Sequence, residues 1–182
     1  MIYSLPTKLN ICGTDYEIRT DYRVILELIE VLNDPAFPDD EKAVATIETI
    51  IIDWENVTDY AEALKQCFWF IDIGQPAGKK SARLVDWQKD FAYIIAPVNR
   101  VLGYEARTVD YLHWWTFMGA YMEIGGECVF SQVVSMRQKI AKGKKLEKHE
   151  REWLRQNRDI VNLPQKYTAE DEEILKKWIG GT

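Results

Sequence analysis

The chain has 182 residues, 47% of them apolar and 12% aromatic, with a net charge of −6. A chain of this length buries enough surface to stand without disulfides or a structural metal. Cys12, Cys67 and Cys128 are scattered and form no CxxC pair, and His113 and His149 lie far apart, which excludes a disulfide framework and a motif-built metal centre.

The first residues, MIYSLPTKLN, lack the basic start and apolar run of a secretory signal, so a reducing, intracellular setting is expected. Thr7 to Ile11 and Tyr16 to Ile18 are β-prone runs separated by Cys-Gly-Thr-Asp, which predicts a small hairpin. Thr20 or Asp21 then caps a helix to about Leu32, with Tyr22, Ile25, Leu26, Ile29 and Leu32 at helical spacing, and Asn33-Asp34-Pro35 ends it. Asp39, Asp40 and Glu41 crowd the start of a second helix, where the helix dipole favours acids, and Val44, Ile47, Ile50 and Ile51 form its stripe. Thr58 and Asp59 open a third, whose Tyr60, Leu64, Cys67, Phe68 and Ile71 share a face before Gly74 stops it. Cys67 is then a buried apolar group.

GQPAGKKSAR, residues 74–83, reads as an internal linker and mimics a phosphate-binding loop. The mimicry fails: the glycines are one residue too close, Lys80 intervenes before Ser81, and a helix precedes the loop where a strand is needed. Trp87, Phe91, Ile94, Ile95, Val98 and Leu102 mark the next helix, ended by Gly103. Asp86 and Asp90 lie one turn apart on it and could pair as acid and base. With no His, Ser or metal motif near them, helix capping and a surface pair with Lys89 are the expected roles.

Thr108 to Ile140 is the most apolar part of the chain. Between Tyr111 and Met122 only His113 and Thr116 are clearly polar, which predicts a buried central helix capped by Thr108, with Asp110 in its first turn and a left-handed stop at Gly125 and Gly126. At roughly 16 residues it falls short of the roughly 20 that a bilayer span needs. Val129 to Ala141 follows as a covering helix, with Phe130, Val133, Val134, Ile140 and Ala141 on one side. After Gly143 comes a charged helix with Leu146, Glu150, Trp153 and Leu154 on one face. Thr168 caps a last short helix with Ile174, Leu175, Trp178 and Ile179 as its stripe.

Charge is uneven along this path. Residues 1–73 carry 5 basic and 15 acidic side chains, whereas residues 137–158 carry 9 basic and 3 acidic. Such halves can attract each other within one molecule, between copies, or toward a partner. The basic run also invites a helix-turn-helix, DNA-binding reading. Against that stand the acidic total, a turn made of Lys-Gly-Lys-Lys, and a second helix of alternating charge. The fold expected is mainly α: a single-domain bundle of six to eight helices over residues 1–163 with an N-terminal hairpin, then a loop and short amphipathic helix over 164–182.

Three segments carry a resemblance: LPTKLNICGTDYEIRTDYR at the N-terminus, YLHWW at Tyr111 to Trp115, and FSQVVSMRQKIAKGKKL at Phe130 to Leu146. They resemble the bacteriophage gene-product-fifteen family of siphophages and prophages, from the hairpin to about Leu163. The resemblance implies a non-enzymatic protein of the host bacterium's cytoplasm, a tail assembly chaperone without cofactors that binds the tape measure protein during tail morphogenesis. A second chaperone or the tail tube subunits are further partners it implies. Nucleic acid and membrane are not expected ones. A structural tail component is the nearest alternative.

A chaperone for a long, partly apolar helical protein should present apolar stripes with charged rims. Candidate contacts are Trp69, Phe70 and Trp114, the terminal Trp178 and Ile179, and Arg137, Lys139, Lys142, Lys144, Lys145, Arg151 and Arg155 of the basic segment. For Trp69 and Trp114 the competing role is core, and for the basic segment a solvated face. Opposite charge on the two parts also permits head-to-tail copies.

Overall fold

The computed structural model describes residues 4–76 and 82–164. Among them are eight α-helices and one two-stranded antiparallel sheet, so the mainly α class with an N-terminal hairpin holds. The predicted helix after Thr168, with Trp178 and Ile179, lies outside the described residues, as do 77–81 of the linker. No helix among the described residues is long and apolar enough to cross a membrane. Contacts divide the chain into two compact units: 4–76 with Tyr111–Trp115, and 82–110 with 116–164.

In the first unit, β1 (Lys8–Ile11) and β2 (Thr14–Glu17) pair in the register Lys8↔Glu17 to Ile11↔Thr14. Only Cys12 and Gly13 form the turn, at φ 51° and 90°, the left-handed pair that a tight two-residue hairpin demands. The loop is thus two residues shorter than predicted, because Asn10 donates to the Asp15 carboxylate at 2.6 Å and draws Thr14 and Asp15 into the ladder. A lone hairpin is marginal. Here Leu9 and Ile11 are buried, and the chain beyond β2 is held by Ile18–Thr7 and Arg19–Ile50 backbone bonds and an Ile18↔Ile51 bridge.

Helix α1 (Tyr22–Leu32) starts where Asp21 accepts from the Arg23 N–H, and it ends at Asn33. Helix α2 (Asp39–Ile50) has its three acids in the first turn. Its C-terminal carbonyls are collected by one side chain: the Arg19 guanidinium donates to the carbonyls of Glu48, Thr49 and Ile51. Such orphan carbonyls otherwise need water. Helix α3 (Tyr60–Ile71) is capped by Asp59, which accepts from the Glu62 N–H. Its buried face is Ala63, Cys67 and Phe70, so the predicted face is rotated: Cys67 is core, but Tyr60 and Phe68 are exposed. Val44 of α2 is likewise outside.

In the second unit, α4 (Trp87–Leu102) starts at Asp86 and ends at Gly103, left-handed at φ 79°. The apolar stretch after it departs from expectation. Thr108 closes a short 3-10 turn (Ala106–Thr108), and α5 (Trp114–Met122) begins five residues later than a Thr108 cap would give. Tyr111 to His113 are extended because the segment before α1 claims their backbone: Tyr22 donates to the Leu112 carbonyl, the Leu112 N–H goes to Asp21, and Trp114 donates to the Thr20 carbonyl. Trp114 and Trp115 count with the first unit and the rest of α5 with the second. The helix stops at Met122, and neither Gly125 nor Gly126 takes a left-handed conformation.

Helix α6 (Val129–Ala141) has the predicted bounds, with Phe130, Val133, Met136 and Arg137 buried and Ile140 and Ala141 exposed. Helices α7 (Lys148–Gln156) and α8 (Arg158–Val161) complete the unit. Val133, Met136 and Val161 form a cluster there, covered by Leu146, Trp153, Leu154 and Ile160. Trp87, Phe117, Tyr121 and Phe130 contribute a run of tilted rings, with Trp87 and Tyr121 centroids 4.9 Å apart.

Candidate partner-binding surface

Two buried assemblies use up side chains that the sequence offers as partner contacts. The first sits at the C-terminus of α3. Trp114 donates its indole N–H to the Ile71 carbonyl and Trp115 to the Phe70 carbonyl, both at 2.9 Å, while Asp72, Ile73 and Gly74 N–H groups reach Phe68, Phe70 and Trp69. Every carbonyl of the last turn is satisfied. His113 orders the pair: its Nδ1 accepts from the Trp115 N–H at 3.0 Å, so Nε2 carries the proton and donates to the Pro6 carbonyl at 2.9 Å. The YLHWW segment is therefore a clamp. Trp114 is 1% exposed and Phe70 fully buried, so neither offers surface, whereas Trp69 is 40% exposed and packs at a tilt against Trp115, ring centroids 5.3 Å apart.

The second assembly centres on Arg137. It forms a two-pronged ion pair with Asp90 of α4 and donates further to the carbonyls of Leu84, Ile160 and Val161. All five guanidinium N–H groups are used, and both side chains are nearly inaccessible. Asp90 also accepts from the Asp86 N–H, and Asp86 pairs with Arg83. The expected surface pair with Lys89 is thus corrected: Lys89 instead donates to the carbonyls of Asp159 and Asn162. Arg137 is a structural hub and not a surface cation. Its signal was weak in sequence because it stands at the head of a run of lysines.

What remains on the outside is simpler. Lys139 is tied to Glu150 and Arg155 to Glu152, while Lys142, Lys144, Lys145 and Arg151 are exposed and form no ion pair with a described residue. In the first unit, Tyr60, Leu64 and Phe68 line up at i, i+4, i+8 on α3, with Tyr60 48% and Phe68 39% exposed. Beside them runs a groove of about 370 Å³ lined by Leu32, Ala43, Leu64 and Phe68, with Asp39 and Lys42 at its edge. On the opposite flank of α2, Val31, Phe37, Val44 and Ala45 line a second groove of about 350 Å³ rimmed by Asp40, Glu41 and Glu48. The sequence places Tyr60, Leu64, Phe68 and Val44 on apolar faces, but as core; helical spacing alone does not say which apolar face is covered.

Burial pushes the Cys67 thiol up to about 12. The Arg107 side chain, helped by its N–H and by Asn99, holds Glu105 down at about 2. Glu150 and Glu152 are lowered by hydrogen bonds from Lys139 and Arg155. Among the described residues no three His, Cys, Asp or Glu side chains are grouped to hold a metal ion.

Comparison with known proteins adds one match. The model of the family described as Bacteriophage Gp15 protein covers residues 1–163. No curated protein and no solved structure matched the chain. The matched span takes in the hairpin, the indole clamp and the Arg137 hub together, and the chain belongs to the bacteriophage Gp15 protein family.

Proposed function

We propose that this protein is a non-enzymatic tail assembly chaperone, acting in the cytoplasm of the bacterial host, that holds the tape measure protein until tail tube subunits assemble around it. The observation that supports this most is the apolar flank of α3. Tyr60, Leu64 and Phe68 form a stripe two turns long beside an open groove, the arrangement that receives one face of an amphipathic helix. A tape measure protein is long, helical and partly apolar, and supplies such faces repeatedly. Membership of a bacteriophage family makes it the natural occupant.

Co-expression with the tape measure protein of the same phage or prophage tests this. The expected result is that the tape measure protein becomes soluble and co-purifies, and that Leu64→Asp with Phe68→Asp abolishes both effects while the variant keeps its helical content. Burying one Phe is worth roughly 1.5–3 kcal/mol, so the loss should exceed tenfold in affinity. A tape measure protein that stays insoluble, or co-purifies equally with the double variant, would sink the proposal. So would finding the protein as a fixed component of purified virions, which would make it part of the tail itself.

A further inference from the structure

Among the described residues, neither the acidic groove on the α1 side of α2 nor Lys142, Lys144 and Lys145 in the basic turn between α6 and α7 have an ion-pair partner. Asp40 and Glu41 lie near the start of α2, where the helix dipole alone would place acids. Glu48 lies in the last turn, where the same dipole disfavours it, so capping does not account for the row. None of the three forms an ion pair with a described residue, and between them Phe37 and Val44 stay 43% and 47% exposed. The basic turn has the reverse character. Gly143, left-handed at φ 60°, folds the chain back so that Gly143 donates to the Ile140 carbonyl and Lys144 to that of Lys139. Lys142, Lys144 and Lys145, all exposed, thus stand in the turn that directly follows Ile140, itself 49% exposed.

We infer that these two surfaces bind each other between copies: the Ile140 knob with its lysine collar enters the Phe37–Val44 groove of a second molecule, head to tail. One side carries an apolar hollow with an anionic rim and the other an apolar projection with a cationic rim, so charge and apolar surface match together. A contact between two different patches leaves one of each free at the ends of a dimer, and it propagates to a ring or filament. Being largely electrostatic at its rim, it weakens as added salt shortens the screening length from about 30 Å at 0.01 M to about 3 Å at 1 M. This association is independent of tape measure binding, which uses the other flank of α2.

Sedimentation of the full chain at low and high salt, with two variants, decides it. The wild-type weight-average mass is expected to rise at least about twofold with concentration at low salt and to return to the monomer value near 1 M. Val44→Lys, which blocks the groove, and Lys144→Gln with Lys145→Gln, which strips the collar, should each remain monomeric at low salt with unchanged circular dichroism. Mixed one to one, they should form a two-chain species and nothing larger, because one intact groove meets one intact turn. A wild-type chain that is monomeric at every concentration overturns the inference. So does association that survives either variant, or a mixture that fails to pair.

Discussion

The two units solve the same problem with opposite chemistry. Each must satisfy backbone carbonyls that its short helices leave free. The first unit does it with neutral donors, the indoles of Trp114 and Trp115 on the end of α3. The second does it with a charge: Arg137 takes the carbonyls of Leu84, Ile160 and Val161, and Asp90 balances it in the interior. An indole left without its acceptor strands one dipole, but a guanidinium left without its carboxylate strands an ion. The second unit should therefore be the more brittle to single substitutions.

The largest effect expected is at that ion pair. Arg137→Met strands Asp90 and three carbonyls, and chemical denaturation should show a loss of about 3–5 kcal/mol. Asp90→Leu alone should cost a similar amount, while the double variant should recover part of it, since two apolar side chains of similar volume replace both charges. Strict additivity of the two losses would mean that the charges do not depend on each other. One size smaller, Trp114→Phe puts a smaller ring without an N–H in the indole's place, leaving the part-buried Ile71 carbonyl unpaired at a cost of about 1–3 kcal/mol on top of the void it opens. Trp115→Phe should cost less, because the Phe70 carbonyl still accepts from the Ile73 N–H. Faster hydrogen exchange at Asp72 to Gly74 is the local readout. If Trp114→Phe proves as damaging as Arg137→Met, the contrast between the units fails.

Gly74 probes the clamp from its other side. Its φ of 74° and its position, where an added Cβ would lie 3.2 Å from the Trp115 ring, both oppose a side chain. Gly74→Ala should cost about 1–2 kcal/mol in backbone conformation, plus displacement of the indole. Gly13, left-handed too but with nothing within 4 Å of an added Cβ, isolates the backbone part. Equal losses at the two sites would show that Trp115 yields freely.

What was legible in the sequence follows the range of the interaction. Asp21, Asp59 and Asp86 reach amides two or three residues on, and Gly103 ends α4 within its own turn, so these boundaries are local and readable. The start of α5 is not, because the groups that hold Leu112 extended lie 91 residues away at Asp21. The same holds for Arg137, whose carboxylate is 47 residues distant on another helix. Nothing in KIAKGKKL hints that the arginine just before it is interior. On α3, a helix flanked by aromatics on two sides, Tyr60-Leu64-Phe68 and Ala63-Cys67-Phe70 fit helical spacing equally. Only the partners that bury Cys67 choose between them. The candidate surface was thus half visible: the Tyr60-Leu64-Phe68 spacing could be read, its exposure could not.

The smallest expected effect separates the units by pH. Burial raises Cys67 of the first unit from 9.0 to about 12, and burial, then the Asp90 charge, raises Tyr121 of the second from 10.0 to about 12. A raised pKa means that the folded state keeps a proton the unfolded chain has released, so the stabilisation is whole below the unfolded value and drains as pH climbs toward the folded one. Between pH 9 and 10 buried Cys67 draws more on stability than Tyr121, by about 1 kcal/mol across that interval, since each group contributes at most roughly 1.4 kcal/mol per pH unit. Cys67→Ala, though less stable at every pH because it leaves a small cavity, should flatten the dependence over that interval. Tyr121→Phe should flatten it chiefly above pH 10. Stability measured by denaturant midpoint from pH 8 to 11 reads both. A Cys67→Ala variant that keeps the wild-type slope below pH 10 would mean that its thiol reaches solvent, and that the core beneath the indole clamp is looser than the charged hub.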